Sequence, residues 1–303
     1  MKTVRLLGLL AAVVLLPLGP PAEAFHPTFA PGDVFVSFEK GGVQWRNPDG
    51  SLNAVLVSLT QGTTSEGMRF DAAGNLYVTH WCASLGLGSV CTLGNTVEKF
   101  NTNGVSQGTV GSGYNCNPHA LAFDVAGDMY VGQADCTGDI LKLSLGQTPT
   151  SYAVAAENRG SFWIELAPDG CTIFYTSWGP NVKRFNVCTN TQLADFNLAP
   201  MPGGQTQGLC LLPDGGLLVS SGAVIARLDA SGVLVQTYSV STGEAQYWAG
   251  LDLVGDGTFW AINYYTSNVY KLDLTTGAVL ASFNTGTPAQ TAVDVRVVRG
   301  ACK

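Results

Sequence analysis

From residue 33 onward, apolar and polar positions alternate in short runs, broken every few residues by glycine, asparagine, aspartate or proline. A period of two is the pattern of half-buried β-strands, and beyond residue 24 no useful length of chain carries the 3.6-residue apolar repeat of a helix. One phrase returns five times: RFDAAGNLYVTHW (69–81), AFDVAGDMYVGQAD (122–135), ELAPDGCTIFYTSW (165–178), LLPDGGLLVSSG (211–222) and LDLVGDGTFWAINYY (251–265). Each reads as strand, tight turn, strand, with the turn glycine at Gly74, Gly127, Gly170, Gly215 and Gly257, so the unit recurs every 42 to 53 residues. A third strand follows in each unit (VEKFN, ILKLS, VKRFN, IARLD, VYKLD), then a second turn and a fourth strand.

Such a unit is a four-stranded antiparallel meander, and its period is that of one propeller blade. The two ends of the chain set the count. GDVFVSF, GGVQWRNPDG and LNAVLVSL supply the second, third and fourth strands of a blade that lacks its first, while TAVDVRVVRG (291–300) is a first strand with nothing after it. Pairing residues 291–300 with 33–40 predicts an all-β, six-bladed β-propeller closed by its C-terminal strand, which removes open sheet edges.

Composition adds the compartment. Lys2 and Arg5 precede an apolar run, Leu6 to Leu18, that ends at Ala22-Glu23-Ala24. That order predicts a secretory signal peptide over 1–24, leaving one propeller domain over 25–303, secreted or periplasmic. The run is shorter than the ~18–20 residues that span a bilayer, and none like it follows, so membrane insertion is not expected. Without the leader, 13 Lys+Arg face 21 Asp+Glu, an acidic balance that argues against nucleic acid as a partner. Eight cysteines in an exported chain read as disulfides. Antiparallel neighbours predict Cys82–Cys91, Cys116–Cys136 and Cys171–Cys188, with Cys210 and Cys302, blades apart, not joined to each other.

In a meander the loops alternate between faces. Short turns poor in reactive groups fall on one face; the other receives residues 79–91, 113–120, 132–138, 159–163, 176–181, 243–250 and 262–268. Trp81, Trp163, Trp178, Trp248, Tyr264 and His119 lie in or beside those loops, and they are predicted to form an aromatic ligand platform around a central funnel, the opposite face being inert. It would take a small molecule, a glycan or a protein partner, and a monomer suffices. Glu66, His80, His119 and Asp135 are the candidates for acid–base work.

The phrases HALAFDVAGDMYVG, IELAPDGCTIFYTS and QGLCLLPDGGLLVS resemble the repeat of six-bladed propellers of the NHL-repeat and gluconolactonase (senescence-marker) type, over essentially the whole of 25–303. The resemblance implies the fold and, for the gluconolactonases, a divalent metal held by an acidic residue with further Asn and Asp ligands at the starts of first strands. Glu66 matches the acidic position. The others are His119, the Phe-Trp-Ile-Glu of 162–165 and Gln207, so no metal or other cofactor is expected. The preferred reading is an exported, non-enzymatic binding propeller; the alternative is a metal-dependent hydrolase or lyase, gluconolactonase-like or streptogramin-lyase-like.

Overall fold

A computed structural model of the protein describes residues 27–39, 42–58, 63–83, 91, 93–144, 146–241, 243–300 and 302. The leader expected at 1–24 lies outside the described residues. All regular structure described is β. The first three strands are β1 (Val34–Phe38), β2 (Gly42–Arg46) and β3 (Leu52–Val57). The second blade is β4 (Thr64–Phe70), β5 (Leu76–Trp81), β6 (Thr96–Phe100) and β7 (Ser106–Val110). The third is β8 (Pro118–Phe123), β9 (Met129–Gln133), β10 (Ile140–Leu143) and β11 (Thr150–Tyr152). The fourth is β12 (Ile164–Leu166), β13 (Thr172–Tyr175), β14 (Lys183–Asn186) and β15 (Thr191–Leu193). The fifth is β16 (Thr206–Leu211), β17 (Leu217–Ser221), β18 (Val224–Leu228) and β19 (Leu234–Tyr238). The sixth is β20 (Trp248–Leu253), β21 (Thr258–Asn263), β22 (Asn268–Asp273) and β23 (Val279–Asn284). Finally β24 (Ala292–Val297) pairs with β1, Val34 opposite Val297, and completes the first blade in the order β24-β1-β2-β3. The fold is therefore the expected six-bladed ring.

The innermost strands β24, β4, β8, β12, β16 and β20 follow one another around the axis. Apolar residues fill the gaps between blades, as where Trp163 and Ile164 pack with Leu209 and Val219. Four inner strands slip register near their upper ends, between Ser65 and Met68, Pro118 and Leu121, Thr206 and Leu209, and Trp248 and Leu251. Such bulges re-aim side chains, and they set Glu66, His119 and Gln207 at matching places in the upper channel. Three residues further along, the same register aligns Arg69, Glu165, Cys210, Asp252 and Arg296.

Three disulfides pair as expected: Cys82–Cys91, Cys116–Cys136 and Cys171–Cys188. The fourth corrects the expectation, because Cys210 is joined to Cys302 across 92 residues of sequence. First strands of different blades converge at the axis, so being blades apart along the ring does not mean being far apart at the hub. After β24 the chain turns beneath the channel, and the Leu253 amide donates to Cys302 Sγ at 3.2 Å on the way to Cys210.

Candidate functional site

The upper mouth of the channel is built on the bulged residues. A hydroxyl on the second strand of one blade donates to the carbonyl of the bulged residue in the next: Ser37 to Glu66 at 2.5 Å, Thr79 to His119 at 2.5 Å, Thr176 to Gln207 at 2.7 Å. Thr79 also accepts from the Gly67 amide at 2.9 Å. These bonds fix the backbone from which the floor of the site projects.

On that floor Glu66 and His119 meet with Oε2 and Nε2 3.6 Å apart, both buried. This is not an ion pair. Burial, reinforced by the nearby Glu39, holds the Glu66 carboxyl well above the usual carboxylate range. Burial, reinforced by the Arg159 and Arg296 charges, holds the His119 imidazole well below its ordinary value. Both shifts favour the neutral forms, and among the described residues neither buried ring nitrogen of His119 has a hydrogen-bond partner.

Above them lies Arg159, which the sequence reading passed over. Its guanidinium carbon sits 4.9 Å from the Trp81 ring centre, 4.6 Å from that of Trp178 and 5.4 Å from that of Phe162. The arrangement follows from the repeat. Trp81 ends the second strand of blade two and Trp178 follows that of blade four, each two residues after the threonine Thr79 or Thr176, while the third blade has Ala134 at that place, hydrogen-bonded to the Gly160 amide at 2.6 Å. The missing indole leaves the space the guanidinium fills. Asp135 anchors it through Nε at 2.8 Å and through Nη2. Burial pushes the Asp135 carboxyl up, but the bonds from Arg159 and Asn117 outweigh it, and Asp135 stays ionised below its ordinary value. Among the described residues the buried indole N–H groups of Trp81 and Trp178 have no partners. Across the mouth, Tyr247 accepts from Gln207 at 2.7 Å and stacks near Tyr265, and Tyr264 donates to Glu39 at 3.2 Å.

The structure thus gathers Glu66, His119, Asp135, Trp81, Trp178 and Tyr264 around one mouth. Three other residues go elsewhere. Trp163 and Trp248 are fully buried; Trp163 packs beneath His119, ring centres 5.3 Å apart, with the Arg296 guanidinium over it, and Trp248 lies in the core between blades. His80, one residue before Trp81 on the same strand, points the opposite way into the protein, bonded to Ser65 and Glu98 at 3.2 Å each. Alternation along β5 therefore delivers Trp81 to the mouth and His80 to the interior.

A divalent metal does not fit this floor: Phe162 packs on His119 with ring centres 3.8 Å apart, and the Arg159 cation, whose charge acts on both Glu66 and His119, stands above. Among the described residues the one cluster with metal-ligand spacing is Cys210, Asp252 and Cys302, whose sulfurs are bonded to each other.

No family model matches the chain, and no curated protein matches it in sequence. Solved structures do match in shape. A chain of the nidogen/laminin complex superposes with TM-score 0.69 at 13% identity, covering 88% of this chain and 98% of that one. A protein of unknown function from Bacteroides caccae gives 0.67 at 14% identity, covering 89% and 100%. A streptogramin B lyase gives 0.56 at 16% identity, covering 85% and 75%. At these identities the likeness is one of fold: the chain is a six-bladed β-propeller.

Proposed function

We propose that the protein is an exported propeller, of NHL or gluconolactonase-like descent, that captures an uncharged or sugar-like ligand, free or displayed on a partner, in its upper mouth. Trp81, Trp178 and the tyrosines offer stacking surface, Arg159 and Gln207 offer donors, and Glu66 and His119 form the polar floor. The observation that carries this reading is the Arg159 guanidinium held between the partly exposed Trp81 and Trp178 rings, 4.9 and 4.6 Å from their centres, which joins a fixed donor to stacking surface at one mouth. Export is supported by the leader pattern and by four disulfides, which need an oxidising compartment. The test is a thermal-shift screen of glycans and neutral metabolites, followed by titration of the hits into Trp81→Ala and His119→Ala proteins. Loss of about tenfold or more in affinity is expected for each; unchanged affinity in both defeats the reading.

One observation favours a second reading, a lyase or hydrolase. An acid kept protonated beside a base kept unprotonated is what proton transfer at neutral pH requires. Glu66 would give the proton and His119 would take one, with no metal in the step. If Glu66→Gln keeps ligand affinity yet abolishes turnover of a hit, this reading replaces the first.

A further inference from the structure

The two sides of the upper mouth differ in charge. On the Trp81 side the Arg159 cation is already offset, gripped by Asp135 through Nε at 2.8 Å and through Nη2. On the other side, just past the end of β1, stands Glu39, half-exposed and without an ion pair among the described residues. Its amide donates to the Thr291 carbonyl at 2.9 Å, so the strand that closes the ring also fixes its backbone. One carboxylate oxygen accepts from Tyr264 at 3.2 Å, and the other makes no hydrogen bond to the described residues. The charge left over at the mouth is therefore negative.

Beside Glu39 the sixth blade sets three tyrosines, none of them buried. The Tyr247 ring centre lies 6.2 Å from that of Tyr264 and 5.2 Å from that of Tyr265, and the last two are 6.5 Å apart. Their loops are tied together. The Tyr264 amide donates to the Tyr247 carbonyl at 2.8 Å, and Asn263 Oδ1 accepts from the amides of Tyr247 and Tyr265 at 3.1 and 3.2 Å. Gln207 and Gln205 hold the Tyr247 hydroxyl. Glu244, on the same loops, is turned away onto Asn268 and Tyr270. Glu66 is buried, and its carboxyl makes no hydrogen bond to the described residues. Burial, reinforced by the Glu39 and Glu66 carboxyls, holds the Tyr264 hydroxyl above its ordinary value, so the three groups share one field. Tyrosine rings fixed beside an unpaired carboxylate are the chemistry that recognises an organic cation. A neutral ligand would leave Glu39 unanswered, and an anion would meet it directly.

We propose that this side of the upper mouth is a subsite for an organic ammonium group, which meets the tyrosine rings and has Glu39 as its counter-ion. Taken with the stacking surface of Trp81 and Trp178, and resting on the reading of the upper mouth as the place of capture, the subsite makes an amino sugar with a free amine the ligand class. The preference for a cation over a neutral sugar of the same shape comes from Glu39 and the tyrosines, whereas the contacts to the sugar ring come from the indoles.

The test is calorimetric titration of the folded protein with glucosamine, N-acetylglucosamine and tetramethylammonium at fixed ionic strength and about pH 6, where the amine is protonated. Glucosamine is expected to bind about tenfold tighter than N-acetylglucosamine, which has the same ring but an uncharged nitrogen. Glu39→Gln, which keeps an acceptor for Tyr264, should erase that preference, and Tyr265→Leu should reduce it several-fold, both with the melting point of the unliganded protein unchanged. Tetramethylammonium binding that is lost in Glu39→Gln, with neither sugar bound, supports the subsite and removes the sugar from the reading of the mouth. Equal binding of the two sugars, both weakened by Trp81→Ala, keeps the mouth as a sugar site and overturns the ammonium subsite. The subsite is overturned as well if none of the three probes binds saturably, or if Glu39→Gln binds glucosamine and tetramethylammonium as the wild type does.

Discussion

Ser37, Thr79 and Thr176 share one register position on the second strands, and their hydroxyls hold the carbonyls of Glu66, His119 and Gln207. The same position in blade five is Ser220, whose buried hydroxyl has no partner among the described residues and whose neighbour in the next blade is Ala249. The hydroxyl is engaged where the bulged residue is polar, so its worth differs by site. Thr79→Val should cost about 1–3 kcal/mol in urea unfolding and weaken ligand binding with it, whereas Ser220→Ala should be neutral or slightly stabilising. The tryptophans divide similarly. Trp248→Ala should cost about 3–5 kcal/mol as a core truncation, and Trp178→Ala about 1–2 kcal/mol with its effect concentrated on binding. The sequence made the aromatic clustering visible but could not sort these rings. Trp81 ends β5, where the pleat turns it to the mouth, and Trp178 lies past β13 in a left-handed backbone conformation (φ 55°), while Trp163 and Trp248 lie at the starts of inner strands and turn into the core. Arg159 carried no signal at all, since its role arises from an alanine where its neighbouring blades have tryptophan.

At the scale of elements, the incomplete blade at one end and the single strand at the other were legible because a meander has a fixed strand count. The union of β24 with β1 follows from it. The Cys210–Cys302 bond was not legible, because strand order gives no radial coordinate: both cysteines lie at the hub, where the ring is narrowest. Closing a loop of that length constrains the unfolded chain by about 4–5 kcal/mol on the chain-entropy model. Cys302→Ser should lose a comparable amount in a non-reducing denaturant titration. Deleting residues 292–303 should lose more, because it also strips β1 of its partner and uncovers Val34 and Val36, which pack with Trp260 and Ile262 of the neighbouring blade.

Over the whole molecule, the buried acids set an unusual pH profile. Glu66, Asp252 and Asp294 all have folded values raised above their unfolded ones, so their contribution is complete below about pH 4, and that of Asp252 and Asp294 is lost as pH rises toward about 7. His119, lowered by burial, works the other way below about pH 6.5, but it is one group against three. Surface aspartates such as Asp214 and Asp273 are lowered by hydrogen bonds within their turns and lose their contribution only at still lower pH. The melting temperature should therefore peak on the acidic side of neutrality and decline toward pH 7, and Asp252→Asn should flatten that decline; a flat wild-type profile would count against these assignments. The closure has one more consequence, for the order of events in a cell. Synthesis runs from the N-terminus, so blades two to six emerge complete while the first waits with its innermost place empty. Until residues 292–302 arrive, the ring is an open arc with a bare strand edge at β1 and an unmatched thiol at Cys210. A nascent chain in that state offers chaperones and oxidising enzymes a handle that vanishes when the last strand is delivered.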